Sequence, residues 1–303
     1  MPDRSPSSWG RFPQVRQDMV RQLWRSDELQ AEAGDGKSYL PFGNGRSYGD
    51  VCLNENGVLI DARGLDRFIH FDPRSGVLRC EAGVLLSEIL ELVVPRGWFL
   101  PVTPGTRYVT VGGAIANDVH GKNHHRAGTF GRHVRQLQLL RSDGIRLRCS
   151  PEENPDWFGA TVGGLGLTGM ITWAEIALKP IPTAFIEQET LRFRSLEEFF
   201  DLAEESDQTH EYTVAWVDCL ARGSSLGRGL FMRGEHSERE GAALDAGREA
   251  WMGIPFTPPF SLVNRFSLKL FNTLYYRRPV GDGVPKEVHY QDFFYPLDGI
   301  RNW

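Results

Sequence analysis

The sequence predicts a mixed α+β protein built as two domains, and three observations predict it. At 303 residues the chain can bury two cores of ordinary size. Strand-like and helix-like stretches interleave across residues 58–178, joined by tight turns. At Lys179, Pro180, Ile181 and Pro182 the composition changes, which gives domains of residues 1–181 and 182–303. The formal charge of −5, without any Lys/Arg block, argues against a nucleic-acid partner, because phosphate contacts need clustered positive charge. Cys52, Cys80, Cys149 and Cys219 are scattered without a CxxC pair, so they read as reduced core thiols and indicate neither a disulfide framework nor a metal site. The N-terminus lacks an apolar secretory core and no apolar run reaches membrane-spanning length, which points to a cytoplasmic or peripheral protein.

Residues 1–37 read as a polar lead-in with a short helix over 14–23. YLPFGNGRSYGD, residues 39–50, follows, with Gly43, Gly45 and Gly49 bracketing Asn44, Arg46 and Ser47. Successive N–H groups in such a turn can form an anion-binding nest, and an ordinary tight turn uses the same residues. The pattern is neither GxxxxGK[ST] nor a strand-bound GxGxxG, which disfavours a P-loop or an ordinary Rossmann fold. Residues 58–61, 68–72 and 76–81 read as strands, the last two joined through Asp72, Pro73, Arg74, Ser75 and Gly76. Leu85, Ile89, Leu92 and Val93 recur at helical spacing until Pro95, Arg96 and Gly97 stop the helix.

The stretch PGTRYVTVGGAIANDVHGKNHHRAGTFG, residues 104–131, is dense in glycine and holds three of the eight histidines. Thr110, Gly112 and Gly113 precede AIAND, which reads as the first turn of a helix. Free N–H groups and the positive dipole end there suit a phosphate or a polar cofactor edge. HGKNHH is not a metal motif, because Gly121 and Asn123 break the helix that His120 and His124 would need and no carboxylate sits in register. His120, between Asp118 and Gly121, reads as active-site lining, and His124, His125 and His133 as structural hydrogen-bonders.

Residues 134–140 and 145–149 form a hairpin about Ser142, Asp143 and Gly144. A short helix over 157–161, a second glycine stretch at 163–169 and a strand over 170–178 complete the first domain. Beyond the boundary, Ser195 and Glu198 form a capping box for a helix with Leu196, Phe199, Phe200 and Ala203 on one face. Residues 213–220 read as a strand containing Trp216 and Asp218. Residues 251–276 are rich in aromatics and broken by prolines, with Arg265 and Lys269 interspersed. They could be core or lie against a membrane or lipid tail, core being the simpler reading.

In order, GNGRSYGD, the strand-strand-helix unit, PGTRYVTVGGAIANDVHGKNHH and ATVGGLGLTG resemble the PCMH-type flavin-binding domain of the vanillyl-alcohol-oxidase superfamily. Over residues 41–303 the chain is similar to the decaprenylphosphoryl-β-D-ribose 2′-oxidase family within it. The resemblance implies an FAD-binding domain of two α+β subdomains and a cap domain on an antiparallel sheet. It implies a cap incomplete at its C-terminus, since family members continue past PLDGIRNW with a segment that supplies a lysine and a tyrosine at the flavin face. Carried over by position, it puts Pro41, Phe42, Gly43, Asn44, Gly45, Arg46, Ser47, Tyr48, Gly49, Asp50 and Val51 around the FAD pyrophosphate. Gly105, Thr110, Val111, Gly112, Gly113, Asn117, Asp118, Val119 and His120 would lie along the flavin and its phosphates, and Ile171 on the adenine side. Tyr48, Trp216 and Phe294 would face the substrate. Arg46 occupies the position of the histidine that tethers flavin in many relatives, which implies noncovalent FAD. Asn117 stands where close relatives have cysteine.

The implied reaction is oxidation of a sugar hydroxyl, the 2′-OH of a polyprenyl-phosphate ribose, in making the arabinose donor of a cell wall. His120 would orient the substrate or relay its proton, electrons would pass to a quinone or oxygen, and a short-chain dehydrogenase partner would complete the epimerisation. Two alternatives stay open: oxidation of a free sugar, alditol or aldonolactone, as by D-arabinono-1,4-lactone oxidase, and a flavin-binding fragment without turnover.

Overall fold

A computed structural model describes residues 6–26, 36–239, 243–247, 252–253, 263–281 and 283–301. The chain forms two units, Met1–Gly121 with Gly128–Pro180, and Lys122–Ala127 with Ile181–Trp303.

The first unit begins with three parallel strands in the order β1-β3-β2: β1 (Met19–Gln22), β2 (Tyr39–Phe42) and β3 (Val58–Asp61). The segment expected as a helix over 14–23 therefore ends as a strand. A ten-residue helix is marginal by itself, whereas pairing with Val58–Asp61 supplies a ladder and delivers Leu23 into a cluster with Ile60, Leu65, Leu140 and Met170. β4 (Phe68–Asp72) and β5 (Val77–Glu81) follow as read, and α1 (Leu86–Val93) buries Leu86, Ile89, Leu90 and Val93. β6 (Trp98–Phe99) and α2 (Val111–Ala116) come next, and then α3 (His124–Ala127), which belongs to the second unit. β7 (Val134–Leu140), β8 (Arg146–Cys149), α4 (Pro155–Thr161) and β9 (Met170–Ala177) complete an antiparallel sheet in the order β4-β5-β9-β7-β8. Leu78, Leu137, Leu139, Ala174 and Ile176 from that sheet are fully buried. β10 (Lys179–Pro180) still pairs with β6, so the chain leaves the unit at Pro180 rather than in a free linker.

The second unit carries an antiparallel sheet in the order β12-β13-β11-β15, from β11 (Phe185–Phe193), β12 (Tyr212–Val217), β13 (Gly229–His236) and β15 (Lys286–His289). α5 (Leu196–Thr209) starts at Ser195, whose hydroxyl accepts the Glu198 N–H, but the Glu198 carboxylate reaches back to the Arg194 N–H and the box is not reciprocal. Phe199 packs on Phe193 and Phe231. Leu196 and Phe200 do not share that face: both are exposed, because the sheet takes only the narrow stripe through Phe199 and the buried Ser206. β14 (Met252–Gly253) pairs with β16 (Ile300–Arg301), and α7 (Tyr290–Phe294) buries Tyr290, Phe293 and Phe294. Of the aromatic-rich 251–276 stretch, residues 251 and 254–262 lie outside the described residues. Beyond β14 the described part from 265 onward forms α6 (Arg265–Arg277), no residue of which is buried, so the core reading fails there. The four cysteines are free thiols, and Cys219 is exposed rather than core.

Candidate functional site

The turn that follows β2 is fastened to the turn that precedes α2. Asn44 Nδ2 donates to the Tyr108 carbonyl at 2.6 Å. Gly43 lies so close to Thr110 that a Cβ would fall 2.5 Å from its Oγ1, which is why this position admits no side chain. Gly45, at φ +61°, turns the chain back under the lead-in. There the Trp9 N–H donates to the Ser47 carbonyl at 2.9 Å, and the Arg46 guanidinium lies 4.9 Å over the Trp9 ring. Trp9 escaped the sequence reading; an aromatic in a polar stretch was its only signal. Among the described residues, the main-chain N–H groups of Gly43, Gly45 and Gly49 donate to no protein atom. A Cβ at Gly49 or Gly105 would meet nothing within 4 Å, so both backbones lie open.

The second turn is carried by α1, whose Leu86 and Ser87 N–H groups donate to the Val109 and Arg107 carbonyls at 3.0 and 2.9 Å. α2 then starts at Val111, with Thr110 as its N-cap, and ends at Ala116, so the AIAND segment is its end rather than its first turn. The helix-start donors are already spent. Val111 N–H donates to Val84 O and Gly112 N–H to Ala82 O, both at 2.8 Å, and Gly113 N–H to Thr110 Oγ1 at 3.1 Å. The main-chain donors expected to meet a phosphate at this helix start are thus bonded within the protein.

The far end of α2 is equally committed. Asn117 Nδ2 donates to Gly113 O at 2.8 Å, and the second glycine stretch donates Gly163 N–H to Ile115 O and Leu165 N–H to Ala116 O. Gly166 of the same stretch lies against Pro41. Asp118, at φ +41°, accepts the Gly131 N–H at 2.8 Å. Val119 accepts the Phe130 N–H, and His120 follows with its ring exposed, its backbone bridged to Thr129. Residues 41–44, 108–120 and 163–166 are thus linked to one another. Ile171 is not open to them, being 7% exposed and paired in β9 with Leu139.

The residues expected at the substrate differ in character. Tyr48 is 76% exposed, in the first unit. In the second, Trp216 is half-buried, edge-on to Tyr275 at 4.8 Å. Phe294 is a core side chain, 1% exposed and edge-on to Tyr212 at 4.9 Å, which leaves its ring no open surface. Lys122 is the titratable group the sequence reading passed over, hidden inside HGKNHH. Its Nζ donates to the Phe293 carbonyl at 2.9 Å and lies 5.2 Å over the Phe293 ring, and burial pushes its amine down to about 8. His125, next but two, meets the His210 carbonyl at 3.2 Å.

Residues 26–150 match the family described as FAD binding domain. That match covers 125 of the chain's 303 residues. The match spans both fastened turns and all of α2, and stops before the second glycine stretch. The FAD-binding chain is 36% identical over 282 residues to the decaprenylphosphoryl-beta-D-ribose oxidase of Mycolicibacterium smegmatis, covering 90% of this chain and 61% of that protein. It is 39% identical over 175 residues to an uncharacterized protein of Streptomyces coelicolor, 58% of this chain and 47% of that one. It is 26% identical over 235 residues to the D-arabinono-1,4-lactone oxidase of Yarrowia lipolytica, 75% of this chain and 42% of that one. The FAD-binding chain therefore spans less than two thirds of the length of each of these relatives.

Proposed function

We propose that this FAD-binding chain oxidises a sugar hydroxyl, the 2′-OH of a polyprenyl-phosphate ribose, a reading supported by its similarity to a decaprenylphosphoryl-beta-D-ribose oxidase. The observation that carries the reading is the 43–49 turn, braced against Tyr108 and Thr110 with three glycine N–H groups that donate to no protein atom among the described residues, in a chain 36% identical to an oxidase of decaprenylphosphoryl-ribose. Those donors, with Arg46 beside them, fit a diphosphate, and the open backbones at Gly49 and Gly105 admit a ligand at close range. The residues present therefore fit FAD, held without a covalent bond because Arg46 offers no nucleophile where a tethering histidine would stand. Bound there, the flavin supplies the acceptor for the hydride of the substrate carbon.

The chain's own residues bind, orient and move the proton. The exposed imidazole of His120 takes the hydroxyl proton as the C–H bond breaks, so the carbon leaves as a ketone. A short-chain dehydrogenase would consume that keto product. A second reading, oxidation of a free aldonolactone, has the Yarrowia relative in its favour. The test is anaerobic titration of FAD-loaded protein with decaprenylphosphoryl-ribose and, separately, with D-arabinono-1,4-lactone, following flavin absorbance. Bleaching by the lipid-linked sugar alone supports the proposal. Bleaching by the lactone alone transfers the case to the second reading, and a bound flavin that neither bleaches marks a binding module without turnover.

A further inference from the structure

We infer that Trp9 is a positioning residue for the cofactor: it fixes the Arg46 guanidinium in the arrangement that receives the FAD diphosphate. The inference rests on the reading above and deepens it. It concerns a part of the chain outside the family match, which starts at residue 26. Residues 7–12 are nonetheless built against the 43–49 turn. Ser8 is buried although Ser7 and Gly10 on either side are exposed, its hydroxyl donates to Phe12 O at 3.4 Å, and its carbonyl accepts the Arg11 N–H at 3.0 Å. Those bonds close residues 8–12 into a loop. A Cβ at Gly45 would collide with the Ser7 carbonyl, so the loop and the turn meet there backbone to backbone. Two residues on, the Trp9 N–H donates to the Ser47 carbonyl at 2.9 Å. Arg46 lies between these two anchors, with its guanidinium 4.9 Å over the Trp9 ring.

The physics of an exposed arginine gives that stack its purpose. Arg46 stands on a turn and is open to solvent, where a long side chain spreads over many rotamers, and a ligand that uses it must first order it. The Trp9 ring orders it beforehand. Stacking takes the flat face of the guanidinium and points its N–H fork outward in its own plane, the geometry that matches phosphate oxygens. The main-chain N–H groups of Gly43, Gly45 and Gly49, which donate to no protein atom among the described residues, belong to the same turn. A cation held at position 46 therefore joins donors whose places the backbone already sets. Trp9 itself is half-buried and belongs to no core cluster, so packing alone does not account for it.

The experiment titrates the full-length apoprotein with FAD, followed by flavin fluorescence at low and high salt, for wild type, Trp9→Leu, Arg46→Gln and the double variant. Melting temperatures of the apoproteins establish that each one titrated is folded. Every variant keeps the main-chain bond from residue 9 to Ser47. We expect Trp9→Leu to weaken FAD binding about three- to tenfold, and to weaken it no further once Arg46 is replaced. It should also flatten the salt dependence of the affinity towards that of Arg46→Gln, because a guanidinium that is no longer held contributes less charge at the diphosphate. Trp9→Phe, with a smaller ring face, should recover part of the affinity, and it carries the same comparison if Trp9→Leu folds poorly. Wild-type affinity in Trp9→Leu overturns the inference. So does an equal loss with and without Arg46, or a loss that leaves the salt dependence unchanged, since either assigns Trp9 to the stability of the segment alone. A wild type that takes up no FAD overturns the inference together with the reading beneath it.

Discussion

A methyl group at position 43 has nowhere to go. Its carbon would fall 2.5 Å from Thr110 Oγ1 and 3.3 Å from Thr110 Cγ2, so either the 43–49 turn lifts off or the N-cap of α2 rotates away. Gly43→Ala should therefore weaken FAD binding by tenfold or more and lower the melting temperature of the apoprotein as well, measured by fluorescence titration and calorimetry; overpacking of this kind costs about 1–3 kcal/mol. Unchanged affinity would show that the turn is not part of the cofactor site. Lys122 gives a prediction in pH. Its amine, buried against Phe293, is pushed down to about 8 from 10.5. Below pH 8 it is protonated folded and unfolded alike, and the full desolvation penalty stands. Between about 8 and 10.5 the unfolded chain holds the proton that the folded chain has shed, so stability rises with pH, by up to about 3 kcal/mol. Denaturant melts of wild type and Lys122→Met from pH 7 to 10.5 should show wild type gaining on the variant across that window. A constant difference would mean that the amine is hydrated.

At the scale of elements, α2 is a six-residue helix with two glycines, Gly112 and Gly113, inside it. Propensity does not make such a helix; its surroundings do. Each end is bonded to another segment, and Thr110 supplies the side-chain cap at its start. Thr110→Val, which keeps the shape and removes the oxygen, should cost about 1 kcal/mol in denaturant melts, and Thr110→Ser should recover most of it. A Val variant as stable as wild type would place the helix start under the control of the Ala82 and Val84 carbonyls alone. The same contrast explains what the sequence made legible. Val77–Glu81 and Leu86–Val93 carry their period in their own residues, 2.0 for the strand and 3.6 for the helix, so their fates could be read locally. β1 could not, because Met19–Gln22 becomes a strand only through a partner some forty residues on, at Val58–Asp61. Nor could the helix-start donors, because the carbonyls that consume them lie on Ala82 and Val84. Glycine-dense loops announced the candidate site; which of their N–H groups stayed unspent was a tertiary fact.

At the scale of the whole molecule, the two units are interleaved in sequence. Residues 122–127 leave the first unit and return to it, and Lys122, Asn123, His125 and Arg126 are bonded within the second. The Lys122 carbonyl accepts the Thr213 N–H at 2.8 Å, Asn123 Nδ2 meets Glu211 Oε1 at 3.4 Å, and Arg126 donates from Nε and Nη2 to the Asp207 carbonyl at 3.2 Å. A cut at the proline-marked boundary would strip all of these partners from the segment, leaving Lys122, half-buried in the intact chain, in solvent. A fragment of residues 1–181 should then be cleaved by trypsin after Lys122 and Arg126 at least about tenfold faster than the full chain, since cleavage tracks the population of the open segment. Mass spectrometry of timed digests reads both cuts directly. Equal cleavage in fragment and full chain would mean that the segment is open in the intact protein, and the burial of Lys122 and its pH-dependent stabilisation would fall with it.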